Sequence, residues 1–459
     1  MSRPRVYALL LLLVFAALPA AGAPRPPDAH KARTTALDPE FMGLAIRDPW
    51  YEFNTNPSFP NAPNQAFQDT MGATLELAGA RWVRLEFHIP VGITSTEAIS
   101  AEIGKNDYFI NQVAPRHGLK VLGLLSFDLL RGTEATLLNS PITVTSHYGG
   151  GINKYMDTWL TRALMIADHY RDNIAAYEIL NEQNRLPPSG VAIAPDIMGR
   201  LLTKFYRFCH GIEVPQDEPA HGCASARIIL GGLHPRGTSI PSFMSDVDYL
   251  KAIYTDPNSF VNFRTNPDHP YYPVDGIAYH PYPEEIQPSL ADIRINTRLP
   301  LVRQALTDVG DPCMQLWITE VGYNVDFDPD GPKNPRPAQT EQEQADFMRD
   351  VYTSLAQRRL DPQLCGIDQA EVANVFWFKY EDFPPAEIIK DSKGNPIVYP
   401  QKWGIVRIPI LSDGGCEGGC YEPSGVPLLY RQSFWAYREL AGKLVYRVYL
   451  PTIGQQPGG

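Results

Sequence analysis

AAYEILNEQN, residues 175–184, is a short apolar run that carries one acid, Glu178, and then breaks off into Asn181-Glu182. An amide and a carboxylate after such a run often do no more than cap the loop or helix that follows. At the top of a barrel strand the same pair would stand where chemistry is done. The choice between these readings depends on what the rest of the chain builds around the run.

Seven more runs of the same kind recur along the chain, each rich in apolar and β-branched residues and bounded by loop signals. The eight runs cover 42–46, 82–87, 120–126, 174–180, 227–231, 276–280, 316–320 and 374–378. Most do not alternate polar with apolar, as expected of strands buried on both faces. Helical patterns lie between them. In 155–170, Trp159, Ala163, Ile166 and Tyr170 fall on one helical face. Others are read at 65–77, 108–117, 195–210, 241–254, 290–306, 339–357 and 428–440. Strands alternating with helices, roughly 40 to 58 residues apart, predict an α/β fold: a (β/α)8 barrel with long βα loops. The barrel is expected over 41–442 as a single domain, and its longest loop runs from 379 to about 426. The tail at 443–459 is left open between an edge strand and a frayed end.

The first 23 residues read as a secretory signal peptide. Arg3 and Arg5 precede an apolar core from Val6 to Leu18, and small residues follow at Ala20 to Ala23. The core is too short for a membrane span. Residues 24–40 are expected to be a disordered lead-in, so the mature protein is expected in the periplasm or outside the cell, with no membrane span after cleavage. Six cysteines, an even number in a secreted chain, imply disulfides. Neighbour pairing gives Cys209–Cys223, Cys313–Cys365 and Cys416–Cys420. Their scatter does not suit a zinc site. The net charge of −11 supplies no basic footprint for nucleic acid or an anionic membrane.

In a barrel of this kind the reactive side chains come from the C-terminal ends of the strands. Those ends offer Arg84 and Glu86, Asp128, Asn181 with Glu182, His234, His280 with Tyr282, Glu320 with Tyr323, and Trp377. Glu182 and Glu320 would face each other across the barrel mouth. Two carboxylates flanking a bond are the equipment of glycoside hydrolysis, one a protonated acid and the other an ionised nucleophile. Arg84 and the Tyr282 hydroxyl are suited to stabilise the ionised partner. Trp377 would give a sugar ring an apolar face. Plainer readings stand beside these: Arg84 neutralising Glu86 or another buried acid, His280 as a core histidine, and Trp377 as barrel core. Glu178 is expected in a buried polar network.

From about Phe41 to Leu440 the chain resembles the retaining glycoside hydrolases of clan A, the group of the family 5 and family 39 enzymes. YEILNEQN is similar to the clan's strand 4 pattern, WITEVGY (317–323) to its strand 7 pattern, and YHPYP (279–283) to a strand 6 pattern. The resemblance implies Glu182 as acid/base, Glu320 as nucleophile and Asn181 as partner of the substrate 2-hydroxyl. It implies Tyr282 as a hydrogen-bond partner of the nucleophile, and Arg84, His280 and Trp377 as further substrate-site residues. Gln183 departs from the pattern, which has proline there. The expectation is a secreted, monomeric retaining β-glycosidase acting on an oligo- or polysaccharide, with no metal and no organic cofactor. A non-catalytic carbohydrate-binding barrel and a transglycosylase are the alternatives.

Overall fold

The structure is a computed structural model. It describes residues 36–46, 64–90, 92–130, 132–143, 147–185, 191–214, 221–237, 244–282, 294–325, 340–382, 389–390, 396–397, 402–411 and 420–443. The expected signal peptide, most of the lead-in, the Cys416–Cys420 pair and the tail beyond residue 443 lie outside the described residues.

Eight parallel strands close into a barrel in sequence order. They are β1 (Met42–Ala45), β2 (Trp82–Glu86), β3 (Lys120–Leu125), β4 (Ala176–Ile179), β5 (Arg227–Leu233), β6 (Gly276–Tyr279), β7 (Leu316–Val321) and β8 (Val372–Trp377). β8 returns to pair with β1 through Gly43 and Phe376, so no edge is left open. All eight expected strands are present, with ends shifted by a residue or two. Helices Gln65–Ala78, Lys154–Tyr170, Pro195–His210 and Glu341–Ala356 lie where periodicity places them. Around 108–117 the expected helix divides into a π-helical turn, Phe109–Val113, and a short α-helical piece, Ala114–Arg116, which carries Pro115. Two of the expected disulfides are formed, Cys209–Cys223 and Cys313–Cys365. No helix among the described residues is long and apolar enough to cross a membrane.

Residues 36–40, which the sequence places in the lead-in, contact the barrel. The Leu37 amide donates to the carbonyl of Leu440 at 2.8 Å. Glu40 pairs with Arg81 at 3.0 Å and with Lys120 at 2.7 Å.

The barrel interior is layered, and the layering positions the site. Its lower layer is apolar: Trp82, Leu122, Ala176, Ile229, Ala278, Trp317 and Phe376 pack together. Trp82 meets Trp317 edge-on with ring centroids 5.5 Å apart. Two residues further along four of these strands the period-2 alternation brings the next inward positions, Arg84, Glu178, His280 and Thr319, and all four are polar. The polar layer rests on this apolar floor.

Candidate active site

β4 sets the site's geometry. The chain leaves the strand through two left-handed residues, Leu180 (φ 63°) and Glu182 (φ 46°), a conformation that non-glycine residues rarely adopt. Three backbone bonds hold it. Leu180 N–H donates to Leu125 at 2.9 Å, Glu182 N–H to Gly232 at 2.9 Å, and Arg185 N–H to the Glu182 carbonyl at 2.7 Å. Gln183 is fully buried and donates to the carbonyl of Gly231 at 3.0 Å. In this chain, then, the amide of Gln183 fastens the turn to β5, which accounts for a polar residue where the clan pattern has proline. Asn184 and His234 clamp the next step reciprocally through backbone and side-chain amide, at 2.8 and 2.9 Å.

Arg84 is the hub beneath both glutamates. Its Nε donates to Glu178 Oε2 at 2.6 Å, Nη1 to Glu320 Oε1 at 2.7 Å and Nη2 to Asn181 Oδ1 at 2.9 Å. Burial alone would lower its pKa, but Glu178 and Glu320 more than reverse this and keep the guanidinium charged. Glu178 also accepts from the Gly232 amide at 2.9 Å and the Thr319 hydroxyl at 3.0 Å, so it belongs to the expected buried network. Arg84 thus neutralises two buried acids, Glu178 and Glu320, and also reaches Asn181.

Glu320, at the end of β7, accepts from Arg84 and, through Oε2, from the Tyr282 hydroxyl at 3.0 Å. Burial, then the Glu320 and Glu182 carboxylates, push the Tyr282 hydroxyl well above its ordinary pKa. It therefore stays a donor.

Glu182 is surrounded differently. Oε1 faces His280 Nδ1 at 3.1 Å and His234 Nδ1, more loosely, at 3.5 Å. Oε2 is paired with Arg185 Nη1 at 2.6 Å. Burial would raise the Glu182 carboxyl, but its contacts with His234, His280 and Arg185 hold it well below the usual carboxylate range. A carboxylate oxygen of Glu182, one of Glu320 and a ring nitrogen of His280 lie within 4.8 Å of one another.

His280 is fully buried. Its Nε2 meets Thr319 Oγ1 at 2.9 Å, and its Nδ1 lies between Glu182 and, at 3.7 Å, Glu320. Burial would lower its pKa, but the two glutamates raise it. With no surface left for a ligand, its place is between the carboxylates, and the expected substrate contact is corrected. The close approach depends on Gly232: a Cβ there would lie 1.9 Å from His280 Nε2.

Trp377 also needs correction. It is fully buried and points outward, its ring 6.0 Å from Phe347 of the helix Glu341–Ala356. It is packing between barrel and helices and offers no face to a sugar. The next residue, Phe378, points into the mouth instead, with Trp403 at 5.8 Å and Tyr282 at 6.3 Å. Trp403 comes from the long loop after β8, and only proximity in the fold reveals it. Gly322 lets these rings close in, since a Cβ there would lie 2.1 Å from the Phe378 carbonyl and 3.2 Å from the Trp403 ring. Alternation along β8 from the inward Phe376 was the available signal for Phe378.

Glu86, His88 and Asp128 form a second group at the ends of β2 and β3, with ligand-type atoms within 4.8 Å of one another. Asp128 pairs with His88 at 2.5 Å, and Glu86 accepts from the Ser126 hydroxyl, so both acids have local partners. In the Glu182–His280–Glu320 group, Arg84 and Arg185 already supply the positive charge that a metal would bring.

No protein-family model matches the chain, and no curated protein matches its sequence. Solved structures share its shape. An endo-β-1,4-mannanase from Thermotoga petrophila is 11% identical, with a TM-score of 0.47, over 88% of this chain and 76% of the other. An exo-β-1,4-mannosidase from Opitutaceae bacterium strain TAV5 is 13% identical, with a TM-score of 0.47, over 87% and 59%. A glucosidase from Croceicoccus marinus is 11% identical, with a TM-score of 0.47, over 88% and 67%. Values this low describe a general likeness of shape and carry nothing about substrate.

Proposed function

We propose that this chain is a secreted retaining β-glycosidase that cleaves an oligo- or polysaccharide by double displacement. The observation that carries the reading is the pair of buried glutamates at the ends of β4 and β7, with carboxylate oxygens within 4.8 Å. Retaining enzymes hold their two carboxyl groups about 5 to 5.5 Å apart, whereas inverting enzymes leave about 6.5 to 9.5 Å for a water.

Glu320 is the nucleophile, kept ionised by Arg84 and oriented by Tyr282. It attacks the anomeric carbon as the glycosidic C–O bond breaks. Glu182 gives its proton to the departing oxygen, then takes a proton from the water that releases the sugar from Glu320. The Asn181 amide oxygen is occupied by Arg84, which leaves its NH2 group to donate to the 2-hydroxyl. Phe378 and Trp403 supply the apolar surface for the ring.

Incubation with glucan, xylan, mannan and galactan, with product sizing, tests this. Cleavage of at least one, abolished by both Glu182→Gln and Glu320→Gln, is expected. Retained binding with no turnover on any would establish a carbohydrate-binding barrel. Products longer than the substrate when acceptor sugar is present would establish transglycosylation.

A further inference from the structure

The surroundings of Glu182 favour the ionised form, whereas the first step assigned to it needs the protonated one. A general acid must be protonated, yet both oxygens of this carboxylate meet positive or donor groups. From its own turn, Arg185 holds Oε2 at 2.6 Å. From the end of β5, His234 stands at 3.5 Å from Oε1, and from the end of β6, His280 stands at 3.1 Å. From β7, Glu320 faces it across the site, with Tyr282 and Arg84 beyond it engaged on Glu320.

These neighbours differ in freedom. His280 is sealed in the barrel wall, and Gly232 and Thr319 fix its position. The Arg185 side chain is 37% exposed, while that of Glu182 is 11% exposed. Arg185, the more exposed of the two, therefore covers Oε2, the oxygen that the histidines leave open to a substrate. One Oε2 lone pair cannot serve the guanidinium and also deliver a proton to substrate.

We propose that Arg185 is a positioning residue that locks Glu182 in its ionised form until a sugar on the leaving-group side displaces the guanidinium. Release removes one positive charge from Oε2 and lets Glu182 take up from solvent the proton it must donate; the proton that Glu182 later takes from the attacking water returns to solvent as Arg185 re-forms its pair. After the leaving group departs, Arg185 returns and favours the ionised base needed for the water step. The same residue thus biases Glu182 toward each form in turn. The inference rests on Glu182 being the acid/base.

The pH dependence of kcat/KM reports groups in the free enzyme, and that of kcat reports groups in the complex. Cellotriose, mannotriose, xylotriose and laminaritriose serve as substrates for whichever is cleaved. In the unaltered protein the alkaline limb of kcat/KM is expected about one pH unit or more below that of kcat. In Arg185→Met the two limbs should coincide, and in Arg185→Lys the separation should return in part. A residue that merely supports the loop would lower both parameters without moving the limbs apart or together. Unmoved limbs in Arg185→Met overturn the proposal.

A second measurement needs no substrate. pH-difference infrared spectra of Arg185→Met should show a protonated carboxyl band appearing at higher pH than in the unaltered protein, and the Glu182→Gln/Arg185→Met double variant should lack it. A Glu182 band that titrates at the same pH with and without Arg185 overturns the lock. Cleavage that survives Glu182→Gln would instead sink the acid/base reading, whatever the infrared result.

Discussion

The ends of β4 and β7 each present a glutamate to the same small space, and the chain holds the two in different ways. Glu320 lies on β7 itself, where the register against β8 shifts, and is held by Arg84 and by Tyr282. Arg84 is buried in the barrel, and Tyr282 is partly buried beside it. Glu182 stands on a left-handed turn, gripped on one oxygen by a fixed histidine and on the other by an arginine that reaches the rim. A nucleophile must keep one charge state throughout, so a rigid cationic cradle suits it. An acid that becomes a base must change state twice, so one of its partners has to be removable. Under the proposed mechanism the contrast distinguishes the two roles better than the separation of the carboxylates does, because separation is the same seen from either residue.

Exchanging the charge on each side should break the contrast unequally. Glu320→Gln removes the only nucleophile, and turnover of every glycoside should fall on the order of 10^4-fold or more. Kinetics on substrates with good and poor leaving groups checks this, and the loss should be similar for both. Glu182→Gln should cost about 10^2 to 10^4-fold where the leaving group needs a proton, and far less on a dinitrophenyl glycoside that leaves unaided. Added azide should partly restore cleavage of the activated glycoside in Glu182→Gln and not in Glu320→Gln. Equal sensitivity to the leaving group in both variants would erase the distinction between the two carboxylates.

Arg84→Met tests the cradle itself. It leaves Glu178 and Glu320 buried without their shared cation, and the cost should be about 3 to 5 kcal/mol in a chemical denaturation experiment. Arg185→Met, at the exposed partner of Glu182, should change stability by less than about 1 kcal/mol. Comparable losses would mean that the two glutamates are held alike. The smallest expected effects separate neighbouring residues of β8. Phe378→Ala should raise KM several-fold with modest change in stability. Trp377→Phe should leave KM unaltered and lower the melting temperature, since its buried ring packs against Phe347 of the helix layer.

The barrel was legible because its signal is repeated. Eight apolar runs bounded by turns and separated by helices leave little alternative, and an error of two residues at any end does not alter the topology. The two glutamates were legible for a related reason, since each ends a run that the pattern identifies as a strand. Direction was harder to read. Trp377 and Phe378 are adjacent aromatic residues at a strand end, and choosing between them requires knowing which one continues the inward series from Phe376. Composition favours tryptophan for a sugar platform, and the register overrules it. His280 was placed in the right spot with the wrong partner, because nothing in YHPYP shows that Gly232 on the neighbouring strand lets its ring sink between the carboxylates. Trp403 and Arg185 lie on loops, where no periodicity reports orientation. The lead-in was read as disordered from its proline and arginine content, but Leu37 and Glu40 find partners on the barrel that composition does not display.

The anomeric configuration of the first product tests the central claim most directly. Proton NMR spectra recorded in the first minutes of hydrolysis, on whichever glycan is cleaved, should show the β anomer appearing first and the α anomer only later, by mutarotation. An α anomer formed first would mean single displacement by water. It would contradict the assignment of Glu320 as nucleophile and Glu182 as the acid that becomes a base.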